Sequence, residues 1–263
     1  MTIAQKDEAV DLQRLGQGLG LVTLRRPQAR NAITPRVALL LEQIVTEIER
    51  SDEIRVAILT GEGDRAFCAG ADLNEVAAGR LDQCFTEKSG FAGFVNAKRS
   101  KPWIAAVNGP ALAGGFEIVL ACDLAVAADS ATFGLPEVKR GLIASAGGLY
   151  RLPRVLPRVL AMEMIATGRT IGADRALAAG VINRVTELRD LLEAAQELGL
   201  EICANAPLAV RESVRIVRAA SGFEDEQLRS DAERAQSFLQ ASDDYWEGAR
   251  AFLEKRPPVW KAR

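Results

Sequence analysis

The sequence predicts an α/β fold, with a mixed core over residues 1–200 and a helical appendage over residues 201–263. Three observations carry this. Two continuous apolar runs, VAILTG at 56–61 and IAAVNG at 104–109, each stop at a glycine, the pattern of parallel strands buried on both faces. Segments of helical period lie between such runs, and strands alternating with helices define the class. From about Gly147 onward the chain is mainly helical, apart from a short strand expected at VINRV (181–185).

Taken in order, DLQRLGQGLGLVTL at 11–24 is expected to form two short strands around a Gly-rich turn. After the Pro-containing loop RRPQARN, a helix is expected from Thr34 to Arg50. Thr34 would be its N-cap, Pro35 its first residue, and Val37, Leu40, Leu41, Ile44 and Ile48 its apolar face. The run at 56–61 follows, then a loop, then the run at 104–109. A helix over Gly114–Ala121 comes next, with strands around Leu124–Ala127 and Thr132–Leu135. Pro207 opens a helix with Val210, Val214 and Val217 on one stripe, and two further helices reach about Leu253.

Composition narrows the chemistry. The 263 residues carry 33 Lys plus Arg against 35 Asp plus Glu, a net charge of −2, and no histidine. Without an imidazole there is no Ser-His-Asp or Cys-His system of the usual kind, no His-ligated metal and no His general base. Proton transfer near neutral pH falls to carboxylates, Lys, Cys or Tyr with shifted pKa values. The near-neutral balance disfavours nucleic acid as a partner. Cys68, Cys84, Cys122 and Cys203 are widely spaced, form no CxxC pair, and are read as reduced thiols of a cytoplasmic protein. The most apolar stretch, FEIVLACDLAVAA from Phe116, is interrupted by Glu117 and Asp123, so no membrane span is expected. The first residues, with Asp7 and Glu8, resemble neither a signal peptide nor a transit peptide.

Several motifs fail on inspection. GQGLG at 16–20 has the wrong spacing for a dinucleotide fingerprint and sits in the expected hairpin turn. Ser145 lies in IASAG, which lacks the first glycine of a nucleophile elbow. Two Gly-Ala segments remain, AFCAGADL at 66–73 and NGPALAGGFE at 108–117, each following an expected strand. Small residues there let a ligand approach backbone N–H groups, and the second segment also opens a helix whose dipole favours negative charge. Two such donors could converge on a carbonyl oxygen as an oxyanion hole; tight strand–helix packing accounts for the glycines equally well. Glu117, within GGFEIVLA, and Glu137, after TFGLP, have apolar neighbours unsuited to a solvated face. Each alone could be a helix-dipole residue, whereas a pair, one neutral and one ionised, supplies acid-base chemistry without histidine.

These residues belong to blocks that resemble the enoyl-CoA hydratase/isomerase (crotonase) superfamily from about Leu12 to Trp260. The blocks are RPQARNAI (26–33), LTGEGDRAFCAGADL (59–73), PWIAAVNGPALAGGFEIVLACDLAVAA (102–128), FGLPEVKRGL (133–142), AGGLYRLPR (146–154) and AFLEKR (251–256). The resemblance implies a crotonase-like ββα spiral core with a C-terminal helical trimerisation region, assembled as a homotrimer or a dimer of trimers. It implies an acyl-CoA thioester as substrate, with coenzyme A entering as part of that substrate and no separate cofactor or metal. It places oxyanion-hole N–H groups on Ala71 and Gly114, and two hydratase carboxylates on Glu117 and Glu137. It places coenzyme contacts at Gln28, Ala29 and Arg30, at Ala69, Gly70, Asp72 and Leu73, and at Phe252 and Lys255. Lys255 would reach a neighbouring subunit's site; read without the family it is equally a solvated lysine at a helix end. The implied reaction is syn addition of water to a 2-trans-enoyl-CoA, giving a 3-hydroxyacyl-CoA, with Glu117 as base, Glu137 as acid, and proton work shared between them. Double-bond isomerisation with a single carboxylate and non-catalytic acyl-CoA binding are the alternatives. The chain departs from the family pattern at Asn74, in place of a lysine, at Ala144 and Ser145, in place of Pro-Gly, and at Ala113, in place of glycine. The segment 75–99, with Phe85, Phe91 and Phe94, is expected to cover the acyl group.

Overall fold

Apolar runs and turns alternate through the tertiary structure as they do along the chain; the structure, a computed structural model, describes residues 9–263. The start of the chain, with Asp7 and Glu8, lies outside the described residues. The strands are β1 (Val10–Gly16), β2 (Leu19–Leu24), β3 (Val56–Gly61), β4 (Phe85–Thr86), β5 (Gly90–Phe91), β6 (Trp103–Val107), β7 (Ala111–Leu112), β8 (Leu124–Ala128), β9 (Thr132–Gly134), β10 (Thr170–Gly172) and β11 (Arg184–Thr186). The helices are α1 (Pro35–Arg50), α2 (Leu73–Ala77), α3 (Gly114–Ala121), α4 (Gly148–Val155), α5 (Arg158–Thr167), α6 (Ala173–Ala178), α7 (Leu191–Cys203), α8 (Pro207–Ala219), α9 (Asp225–Gln240) and α10 (Asp243–Glu254).

The main sheet has the order β1-β2-β3-β6-β8-β11 and is parallel from β2 onward. The β1–β2 hairpin turns through Gln17 and Gly18, both at positive φ, so its strands keep the right-handed twist of the sheet. Side chains alternate across the sheet with period two. Ala57, Leu59, Ala105 and Val107 face a core covered by α1 and α3, whereas Val56, Ile58, Ile104 and Ala106 face a second core closed by α7. That burial on both faces is why β3 and β6 read as unbroken apolar runs. α7 lies so close to the sheet that a Cβ on Gly199 would stand 2.7 Å from Leu19 Cδ2.

A smaller sheet, β10-β9-β7, is extended by isolated parallel bridges pairing Cys68 with Ala111 and Ile33 with Ala71. The chain therefore winds as a spiral. Each turn lays one strand in the main sheet, one short strand or bridge in the second, and then a helix or 3-10 turn: β3, the 68–71 bridges and α2; β6, β7 and α3; β8, β9 and the 3-10 turn Pro136–Arg140.

Local expectations hold for α1, where the Thr34 hydroxyl accepts from the Val37 N–H at 3.3 Å, and for β3, whose bounds match the run. The strand expected at 181–185 is displaced. Val181 N–H caps α6 at Ala176, and Asn183 exchanges backbone and side-chain hydrogen bonds with Ala125, so ladder pairing with β8 begins only at Arg184. α7 runs through position 200, and the appendage begins at α8.

The appendage is tied to the core by Arg218 of α8, whose guanidinium meets both Asp123 carboxylate oxygens at 2.6 Å and also bonds the backbone carbonyls of Arg99 and Lys101. Its outward positions are largely polar but include the exposed large apolar side chains Val217, Phe238, Trp246, Phe252 and Leu253. Of the Val210, Val214 and Val217 stripe of α8, the first two are half-buried and Val217 is exposed; Pro207 is the one buried residue of the helix.

Candidate active site

Two backbone amides are freed by the way the spiral crosses itself. In the bridge between Ile33 and Ala71, Ile33 N–H donates to the Gly70 carbonyl and Asp72 N–H to the Ile33 carbonyl, both at 2.8 Å. A parallel bridge of this kind uses the flanking peptide groups, so the Ala71 N–H points to the other side. Gly114 is the first residue of α3, where a helix N–H has no intrahelical acceptor. Among the described residues neither amide donates to another group. The two loops touch: a Cβ on Gly70 would lie 3.0 Å from Gly114 N.

Small residues are obligatory at this crossing. A Cβ on Gly115 would stand 2.0 Å from the Cys68 carbonyl oxygen, and one on Gly114 would stand 2.3 Å from Phe91 Cε1. Ala113 sits at φ +52°, a region that favours glycine, held by its N–H bond to the Gly134 carbonyl at 2.9 Å. Its replacement of glycine therefore costs more through the backbone than through its one methyl group, about 1–3 kcal/mol.

Both amides border a cleft of about 790 Å³ that also takes in Glu117 and Glu137. Glu117 stands on the first turn of α3 and is buried at 3% exposure. Its Oε1 accepts the Gly148 N–H, at the start of α4, at 2.8 Å. Burial pushes its pKa up to about 7 against that bond, and the neighbouring Glu137 raises it further. Glu137 lies on the 3-10 turn after β9. Burial raises its pKa too, and its buried Oε2 has no hydrogen-bond partner among the described residues. A buried carboxyl oxygen with no protein partner, facing a cleft, is free for a water or a substrate atom.

Of the sequence-predicted contacts, Gln28, Ala29, Arg30, Ala69, Asp72 and Leu73 line the cleft together with Ala71, Gly114, Glu117 and Glu137. Gly70 does not line it; its role is to let the two loops meet. Phe252 and Lys255 are not brought to the cleft of their own chain, and Phe252 is 84% exposed. The Asp72 carboxylate is committed to the fold: it accepts from Arg26 at 3.0 Å and from the Asn74 backbone and side chain, capping α2. Asn74, at the departure from lysine, is thus bonded to that cap. Of the three phenylalanines expected over the acyl group, Phe85 and Phe91 line the cleft as an edge-to-face pair 5.3 Å apart. Phe94 does not; it is fully buried against Trp103. Gly93 packs on the Ala38 carbonyl of α1 and drives its neighbour into the core.

Val76 and Leu81 line the cleft from the segment 75–99 expected over the acyl group, whereas sequence reasoning missed Arg26, Leu142, Ile143, Lys139 and Arg140 as cleft residues. Exposed apolar side chains at Leu142 and Ile143, in a loop next to Glu137, were the available signal.

Comparison with known proteins gives one consistent result. The family model for enoyl-CoA hydratase/isomerase matches residues 14–263. A carnitinyl-CoA dehydratase of Escherichia coli (strain SMS-3-5 / SECEC) is 41% identical over 261 residues, 97% of this chain and 99% of that protein. The crystal structure of an enoyl-CoA hydratase from Mycobacterium tuberculosis H37Rv superposes with a TM-score of 0.93 at 39% identity, covering 98% of this chain and all of the other. That of a carnitinyl-CoA hydratase from Mycobacterium avium gives 0.75 at 42% identity, with the same coverage. With the crossed loops, the paired carboxylates and a match over nearly its whole length, this chain belongs to the enoyl-CoA hydratase/isomerase family, with the crotonase fold.

Proposed function

We propose that the protein is a hydro-lyase that adds water across the double bond of a 2-trans-enoyl-CoA. The observation that carries this reading is the pair of buried carboxylates, Glu117 and Glu137, bordering one cleft with the free N–H groups of Ala71 and Gly114. The thioester carbonyl oxygen accepts from both amides, which withdraw electrons from C3 and stabilise the enolate; one such donor is worth about 2.7–4 kcal/mol of barrier. Ionised Glu117 takes a proton from water as its oxygen bonds to C3. Protonated Glu137 delivers a proton to C2, the enolate collapses to the 3-hydroxyacyl thioester, and a proton passes from Glu117 to Glu137 to restore the site. Glu137 raises the proton affinity of Glu117, so the two carboxyls titrate together and share the proton work.

The test follows loss of conjugated-thioester absorbance with 2-enoyl-CoA esters of several chain lengths. Turnover supports the reading; no turnover on any ester, with coenzyme A binding intact, overturns it. A 3-enoyl-CoA distinguishes isomerisation, where a 2-enoyl product without hydration would favour single-carboxylate chemistry.

The high identity to carnitinyl-CoA dehydratases favours a second reading of the acyl group, with the same chemistry on a 4-trimethylammonio acyl chain. Phe85 and Phe91 offer aromatic edges and faces to an alkyl chain or to a quaternary ammonium. Lys139 and Arg140, on the same cleft, oppose a cation. Comparing kcat/KM for crotonyl-CoA and its trimethylammonio counterpart separates the two. The family resemblance and the apolar side chains exposed on the appendage also support a trimer, in which Phe252 and Lys255 would serve a neighbouring site.

A further inference from the structure

Glu117 is held by the end of a loop that anchors Ala144 and Ala146 in the core. The loop 142–147 joins the 3-10 turn to α4, contains no regular structure, and exposes Leu142, Ile143 and Ser145. The N–H at its far end, Gly148, holds Glu117 Oε1, and the Ala146 N–H also favours the charged carboxylate.

One side chain ties this loop to a distant segment of the chain. Arg151, in the first turn of α4, reaches back over Gly147 so that Nη1 donates to the Ala146 carbonyl at 3.0 Å. Its Nη2 donates to the Val95 carbonyl at 2.6 Å and, more weakly, to Asn96 Oδ1 at 3.4 Å. Gly147, at φ +128°, has no side chain, and a Cβ built there would stand 1.9 Å from Nη1, in the space the guanidinium occupies. The segment containing Val95 begins with Phe91, the ring packed against Gly114. A single planar fork thus joins the loop that holds the base to the segment that walls the oxyanion amide, as a point-charge ammonium could not. Two other ionisable groups bear on the pair: Glu137, from the 3-10 turn, raises the pKa of Glu117, and Arg140 lowers that of Glu137. Arg151 favours ionised Glu117.

We propose that Arg151 is a positioning residue for the hydration, clamping the 142–148 loop to the Val95 segment so that Glu117 is held toward the water beside the oxyanion amides. Its activity readouts rest on the hydratase reading; its loop readout does not.

The experiment compares Arg151→Met and Arg151→Lys with the unmodified enzyme by pH-resolved kinetics and by hydrogen-exchange mass spectrometry. In Arg151→Met, kcat is expected to fall roughly 10- to 100-fold, the range for a displaced catalytic group, with KM nearly unchanged. The acid limb of the pH profile should move to higher pH, because a cation favouring ionised Glu117 is gone. Exchange over 142–148 should accelerate. Arg151→Lys keeps the charge and loses the fork, so kcat should drop while the acid limb stays. An unmodified kcat, acid limb and loop exchange in Arg151→Met would overturn the proposal, as would a loss of kcat with neither limb nor exchange altered. Should Arg151→Met fail to fold, Arg151→Lys decides: reduced kcat with faster loop exchange supports the clamp, and unmodified behaviour overturns it. If the unmodified enzyme hydrates nothing, exchange alone judges the clamp. Faster loop exchange in Arg151→Met then supports it while the hydratase reading fails, and unchanged exchange overturns both.

Discussion

At Glu117, burial and function pull in opposite directions. Its carboxyl binds a proton more tightly in the fold than in the unfolded chain, with a pKa of about 7 against 4.5. Native stability attributable to this group is therefore fully present below pH 4.5 and is lost as pH rises toward 7. Glu117→Gln removes that dependence, so at pH 8 it should unfold at a higher temperature than the unmodified protein, by a stability gain on the order of 1–3 kcal/mol in thermal or urea melts. The same substitution should cut kcat by two or more orders of magnitude in the absorbance assay. Glu137→Gln should do likewise, and full activity in either variant would remove that residue from the chemistry. The unmodified enzyme should lose activity as pH falls through about 7, where Glu117 takes up its proton. Both carboxylates were legible as residues because a Glu between apolar neighbours is anomalous in any fold. The orphaned Glu137 oxygen was not, since it depends on what surrounds the 3-10 turn.

Elements were legible where local rules agree. α1 has its N-cap, its N1 proline and a five-residue buried face, so period and capping name the same helix. Its end at Arg50 is where the sequence places it, but the cap there was not legible: fully buried Lys101 donates to the Ile48 and Ser51 carbonyls from 53 and 50 positions away in the chain. Lys101→Met should leave these carbonyls without that partner and cost about 1–3 kcal/mol in urea denaturation. In the proposed hydration α3 is the central element, because its first N–H groups and its first-turn Glu117 share one end. Gly114→Ala would drive a Cβ into Phe91, displacing either the ring or the amide. The expected result is a loss of kcat of roughly 100-fold or more, the value of one oxyanion donor, with coenzyme A binding largely kept.

For the whole molecule, the unresolved burial lies in the appendage. Val217, Phe238, Trp246, Phe252 and Leu253, on α8, α9 and α10, are large apolar side chains left exposed in the single chain. Light scattering should give about three or six times the mass of one chain, and a monomer at micromolar concentration would refute the trimer. In the trimer reading, Lys255→Ala should raise KM for acyl-CoA with kcat little changed, since Lys255 would meet the coenzyme and not the double bond. The Arg218–Asp123 bond fixes how the appendage leaves the core, so Asp123→Ala should destabilise the protein by about 3 kcal/mol, the cost of stranding a partly buried guanidinium.

The sequence by itself determined the fold class, the buried strands β3 and β6, helices α1 and α3, and singled out the carboxylates and glycine-rich segments that the fold brings to one cleft. Those follow from periodicity, capping and the cost of placing charge beside apolar residues, all local in the chain. Only the tertiary structure decided that Asp72 pairs with Arg26, that Phe94 belongs to the core, that the Ala71 and Gly114 amides are free, and that Arg151 ties the loop behind Glu117 to the Val95 segment. Each of these depends on which distant backbone groups meet when the spiral closes, and hydrogen-bond partners tens of residues apart leave no period in the sequence.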